Sequence, residues 1–215
     1  MTTSLGRPAL VAAPLLVLAA HLTQSSPSAH DTASELASIA AATGRYQAAG
    51  VLGFLACLLF VPALLTLGAD LRVTRPRWAA AGTGLSITGL LALVSLQGSG
   101  PVSQALAESP GRAAAIAVTD AYEGLPLPTA WVLLMLVGWV LGPVVLGVGL
   151  WRSGATPLVP VLLAGGVVVQ MADAGRWPLA AGFLLTAAGF GLCATPIGRP
   201  ASRTVASPEP VPALS

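Results

Sequence analysis

The chain has no lysine; all ten of its basic residues are arginine. Acidic residues number only eight, so charge occupies 8% of the 215 positions, against roughly 25% in an ordinary soluble domain. That is too little charged surface to solvate a globule of this size and leaves little room for a soluble enzyme. Cysteine is equally scarce. Cys57 and Cys193 fall inside apolar runs, with no CxxC spacing and no histidine beside them, which speaks against a disulfide scaffold or a zinc site. They read as small buried apolar groups. No basic block resembles a nucleic-acid patch. HExxH, Walker-type and GxSxG motifs are missing, and no Asp, Glu, Lys or Arg interrupts the long apolar runs. Proton relays and voltage sensors need such residues. The expectation is therefore a non-enzymatic protein with no cofactor, no metal and no nucleic-acid partner.

What is present is apolar sequence: 55% hydrophobic residues and a mean hydropathy of +0.82. A helix needs about 20 apolar residues to cross about 30 Å of hydrocarbon. Six stretches qualify or nearly do: Ala9–Thr23, Tyr46–Ala69, Trp78–Gln97, Leu127–Trp151, Pro157–Ala172 and Trp177–Thr195. The first and fifth are short. The runs are continuous and do not alternate as a membrane barrel requires, and a helix satisfies its own backbone in lipid. The predicted fold is an all-α, polytopic transmembrane helical bundle of six spans over residues 1–196, followed by a disordered cytoplasmic tail at 197–215. Pro62, Pro143 and Pro160 lie inside spans and are expected to kink them. The first run has a rival reading, a cleaved signal peptide over residues 1–29; the poor cleavage site favours a retained helix.

Arginines near span ends set the orientation. With the N-terminus inside, seven (Arg7, Arg72, Arg75, Arg77, Arg152, Arg199, Arg203) are cytoplasmic and three (Arg45, Arg112, Arg176) lie outside. Both termini are then cytoplasmic. Trp78, Trp131, Trp151 and Trp177 sit at span ends, where an aromatic belt belongs. Two outer loops are long, and each is expected to hold one short surface helix. In the first, Ser28 and Asp31 suggest a cap, Ala33, Leu36, Ala37 and Ala40 form the apolar face, and Gly44 closes the segment. In the second, Ser109-Pro110 starts a helix with Ala113, Ile116, Ala117 and Tyr122 on its apolar face.

The polar residues with more than a hydroxyl gather at the outer ends of the spans. Gln97 ends the third span, Gln170 and Asp173 end the fifth, and Arg176 opens the sixth. Arg45, Tyr46 and Gln47 open the second, and His21 ends the first. Gln97, Gln170, Asp173 and Arg176 form the candidate site for a small polar or anionic ligand, with an Asp173–Arg176 pair across a tight turn. Small residues repeat at every fourth position in Gly138/Gly142, in Ala49/Gly53/Cys57 and in Ala80/Gly84/Thr88, a spacing that lets helix backbones approach. They serve packing within the bundle or a homo- or hetero-oligomer. Pro62, Gly68 and Pro76 match Pro143, Gly149 and Pro157 at one constant offset, a faint parallel repeat.

Two stretches, Gly44-Arg45-Tyr46 and Leu150-Trp151-Arg152-Ser153-Gly154-Ala155-Thr156-Pro157, with Gly165-Gly166 and Asp173 beyond, resemble an uncharacterised family of bacterial six-helix integral membrane proteins, a domain of unknown function. The resemblance covers about two thirds of the chain. It implies a six-helix organisation in a bacterial cell membrane and supplies no activity, cofactor or catalytic residue. The expected function is that of a structural, sensory or partner-binding component of the bilayer. The alternative is a small transporter or channel for a small polar or anionic solute.

Overall fold

A computed structural model describes residues 5–24, 31–171 and 176–194. The tail at 197–215 lies outside these. Nine helices occur among the described residues: α1 (Gly6–Thr23), α2 (Thr32–Ala41), α3 (Thr43–Arg72), α4 (Pro76–Gln97), α5 (Gly100–Ala107), α6 (Arg112–Glu123), α7 (Pro126–Trp151), α8 (Leu158–Met171) and α9 (Arg176–Ala194). The same residues contain no strand. Proline in the first turn starts α4, α5 and α7, where its missing N–H costs nothing. Pro14, Pro62 and Pro143 lie inside α1, α3 and α7. Pro160 falls in the first turn of α8, so it removes no interior hydrogen bond there.

Among the described residues five helices are long and apolar enough to cross a membrane: α1, α3, α4 running on into α5, α7 and α9. The expected fifth span, Pro157–Ala172, is shorter than anticipated. α8 has 14 residues, a rise of about 21 Å against about 30 Å of hydrocarbon. Pro157 stays in the turn before it and does not lengthen it.

The six long or apolar helices pack in sequence order, α1 on α3, α3 on α4, α4 on α7, α7 on α8 and α8 on α9, and α9 returns to α1 to close the ring. The interior is filled by Phe60, whose ring meets Trp139 edge-on at 5.3 Å and Phe190 at 5.9 Å, and by Leu10, Leu67, Leu146 and Leu163, all at most 1% exposed. The outside is apolar as well: Val51, Phe54, Leu65, Leu91, Leu133 and Val168 are all exposed. An apolar exterior of this extent suits lipid and not water.

Glycine sets the closest approach. A methyl group built on Gly89 of α4 would stand 2.7 Å from Gly138 Cα of α7, and one on Gly142 would strike the Ser86 backbone at 2.6 Å. The Gly138/Gly142 spacing is therefore spent inside the bundle. So is Ala49/Gly53/Cys57, all three buried. Ala80, Gly84 and Thr88 face outward, and a methyl on Gly84 would meet nothing within 4 Å.

Three short helices, not two, cover the end where α3 and α7 begin. α5 was unforeseen because Gly98, Ser99, Gly100 and Pro101 read as a loop. Gly98 and Ser99 instead keep helical dihedrals, and Pro101 restarts the helix directly. α2 is capped by Asp31 and buries Leu36 and Ile39, while Ala40 is exposed. α6 starts at Arg112, two residues after Pro110, and buries Ala115, with Ala113, Ala117 and Tyr122 exposed. In so alanine-rich a segment the apolar face is not distinct enough to be read by period alone.

The two kinds of glycine give a test. Gly138→Ala should lower stability by about 1–3 kcal/mol, as overpacking does. Gly84→Ala should leave it unchanged or raise it by up to about 1 kcal/mol, through helix propensity. Thermal unfolding in detergent measures both; equal responses would contradict this packing.

Candidate functional site

Of the predicted cluster, the two described members, Gln97 and Gln170, stand on different helix interfaces. Gln97 lies on the α3–α4 interface, where a methyl built on Gly53 would meet its Nε2 at 3.0 Å. Its Oε1 is buried with no hydrogen-bond partner among the described residues. Gln170 lies on the α7–α8–α9 interface. It accepts from Trp139 Nε1–H at 3.1 Å and donates through Nε2 to Thr186 Oγ1 at 3.0 Å. Asp173 and the side chain of Arg176 lie outside the described residues; Arg176 is known only as the first residue of α9.

Gln170 was expected at the depth of the span ends. Its partner Trp139 is instead midway along α7, about 18 Å from Trp151 at 1.5 Å per residue. Because α8 is short, its final turn meets the middle of α7. A carboxamide there is surrounded by apolar side chains and must find its hydrogen bonds within the bundle. It does so by joining three helices. Thr186, 2% exposed, passes the chain on by donating to the Gly182 carbonyl at 3.0 Å. Glycine again makes the room: a methyl on Gly182 would touch Gln170 Cγ at 2.8 Å.

Beside this seam is a small enclosed space of about 10 Å³, lined by Phe60, Ser86, Leu90, Trp139, Thr186 and Phe190 among others. Such a space is at the lower limit for one water molecule. Ser86, 4% exposed, turns its Oγ toward Gly142 and has no hydrogen-bond partner among the described residues. Ser95, by contrast, donates to its own helix at Leu91 O, 3.0 Å away. Trp139 was not singled out from the sequence, though a signal existed. It stands mid-run, away from the span ends where Trp78, Trp131, Trp151 and Trp177 sit, and a buried indole N–H requires an acceptor.

The second polar region is the layer of short helices. Thr32 Oγ1 donates to Asp120, and Arg112 Nη2 donates to the Ala33 carbonyl at 2.9 Å. Gln47 Nε2 donates to Gln104 Oε1 at 3.2 Å, and Gln104 donates to Glu108 at 3.0 Å. Between α2 and α6 an open groove of about 460 Å³ is lined by Asp31, Glu35, Asp120 and Glu123. Among the described residues no group of three or more His, Cys, Asp or Glu is placed to hold a metal ion. His21 lies with its ring 5.8 Å from that of Phe183, in the wall between α1 and α9.

The Asp31 carboxylate accepts from the Ser34 backbone N–H and hydroxyl, both at 2.8 Å. The backbone bond is the larger cause holding its pKa below the ordinary aspartate value, and the hydroxyl bond is the next. A depressed folded pKa means that the cap stabilises α2 above the unfolded pKa, and that this is lost as pH falls through the folded one. Exchange protection of the amides of α2 should therefore be constant through neutral pH and decline only in strong acid. A loss of protection centred near pH 6 would contradict the assignment. For the inner seam, Gln170→Leu should cost about 0.6–2 kcal/mol in unfolding experiments. The loss should shrink on a Trp139→Phe, Thr186→Val background; an unchanged cost there would show that the three groups are not coupled.

No family model, no curated protein and no solved structure matches the chain, so the two polar regions stand on their geometry alone.

Proposed function

We propose that the protein is a multi-pass integral membrane protein of the bacterial cell membrane, related to the six-helix family it resembles. In this reading it acts without catalysis, as a structural, sensory or partner-binding component. The observation that carries this is the filled interior. Phe60, Trp139 and Phe190 meet where a solute path would run, and the space beside them is about 10 Å³, about enough for one water molecule. A transporter or channel needs a polar route at that level. Here the polar groups of Gln170 and Thr186 are turned on each other. Among the described residues no Asp, Glu, Lys, Arg or His is buried in the interior, and catalysis within a membrane normally needs such groups there.

The orientation follows from charge. Arg7, Arg72, Arg75, Arg77 and Arg152 lie at one end of the bundle and the acidic short helices at the other, which favours both termini in the cytoplasm. The packing of α1 supports a retained first helix over a cleaved leader. Ala9, Leu10 and Ala13 belong to the core, and Arg7 donates to the last carbonyl of α9, at Ala194, over 3.0 Å while lying 3.7 Å from Asp70 of α3. Removing α1 would open the ring.

Two measurements test this reading. An exported phosphatase fused after Ser215 should be inactive; robust periplasmic activity would reverse the topology. Proteoliposomes containing the protein should take up small polar or anionic solutes no faster than empty vesicles. Protein-dependent, saturable uptake would replace this reading with the transporter.

A further inference from the structure

Two turns far apart in sequence are tied together at the arginine-rich end. The first, Val73 to Arg75, joins α3 to α4; the second, Arg152 to Pro157, joins α7 to α8. Thr74 Oγ1 donates to Ser153 Oγ at 2.8 Å. Arg75 Nη2 donates to the Arg152 carbonyl at 3.3 Å. The Arg152 guanidinium lies over the ring of Trp78, 5.1 Å from its centroid. Gly154 closes the second turn with φ +99°, which a side chain would resist. These contacts bring the exposed Arg75 and Arg152 to one surface, with the exposed Arg77 on the same first turn of α4.

Among the described residues the charge of this surface is uncompensated. Among the described residues the one ion pair is Arg7–Asp70, so no carboxylate neutralises Arg75, Arg77 or Arg152. The arrangement is also fixed in advance. Trp78 holds one guanidinium by its face, and a carbonyl pins one edge of the other, leaving its remaining N–H groups directed elsewhere. Guanidinium groups bind phosphate through paired hydrogen bonds. Prior ordering lowers the entropy lost on binding. Half-buried Trp78 and exposed Trp151 border the arginines with the amphipathic rings favoured at the level of lipid headgroups.

We propose that this junction of the α3–α4 and α7–α8 turns binds the phosphate of an anionic phospholipid. The proposal rests on the membrane reading above and is independent of whether the protein transports. Basic pockets between membrane helices take such headgroups, and three unpaired arginines beside apolar helix walls meet both halves of a lipid.

The test uses the full chain in phosphatidylcholine bilayers, with trace spin-labelled phosphatidylglycerol or spin-labelled phosphatidylcholine, and reads the motionally restricted fraction. The wild-type protein should restrict phosphatidylglycerol in preference. R75Q/R152Q should lose that preference by about fivefold for each arginine removed, the weight of one basic residue at an anionic surface. R77Q breaks no bond between the turns, so it tests charge with the fold intact and should show about one such step. R45Q, at the other end of the bundle, should change nothing. Equal restriction of both lipids by wild type, an unchanged preference in R77Q, or an R45Q effect as large as that of R77Q would each overturn the site. Displacement of the lipid by excess inorganic phosphate would reassign it to free phosphate and overturn the lipid proposal. Failure to co-float with phosphatidylcholine vesicles would defeat the membrane reading itself; co-flotation without preference defeats the lipid site alone.

Discussion

Lipid gives apolar helices no hydrophobic reason to associate, so what holds such a bundle is how closely its backbones can come together. In this protein that closeness is supplied by glycine. Gly89 against Gly138, Gly142 against Ser86, and Gly166 and Gly182 against Thr186 and Gln170 are places where a single methyl group would collide with a neighbouring helix. Each lies on a different seam or a different level of the ring. Dispersion contacts are individually small and depend steeply on distance. Withdrawing two helices by the width of a methyl would therefore weaken every contact along them. The aromatic centre lies among these seams, where Phe60 reaches both Trp139 and Phe190.

Closing the ring brings a second preference, that polar groups inside it bond to each other. Gln170 meets this with Trp139 on one side and Thr186 on the other. The bonds pin the short α8 between α7 and α9, giving it directional contacts in place of the length it lacks. Arg7 has the same role at the rim. It joins α1 to α3 through Asp70 and to α9 through the free carbonyl of Ala194, one of the C-terminal acceptors that a helix leaves open. Polar chemistry in this bundle thus fixes which helices adjoin, while glycine fixes how near they lie.

The two ends of the bundle differ in kind. One is built of tight turns, with arginine, tryptophan and hydroxyl side chains bridging the α3–α4 and α7–α8 connections. The other carries three short helices joined by Thr32–Asp120, Arg112–Ala33 and Gln47–Gln104 bonds, with carboxylates facing an open groove. Short turns place guanidinium groups close to the helix ends, and longer segments place carboxylates away from them. The charge asymmetry is thereby also an asymmetry of shape.

Much of this was legible in the residues. Charge-free runs gave the apolar helices because a charge within a span is costly, and Asp31 marked where α2 begins because a cap acts on its own turn. Such determinants are local, and sequence records them directly. The tertiary structure decided the rest. Gln97 and Gln170 look equivalent in sequence, each closing an apolar run, yet one packs on Gly53 and the other spans three helices at the middle of α7. Likewise Gly138 and Gly84 have the same apolar surroundings in sequence, and only one meets another backbone. Which face of a uniformly apolar helix turns inward leaves no periodic trace, because lipid and core ask for the same side chains. That choice is made by the fit of one helix surface against another.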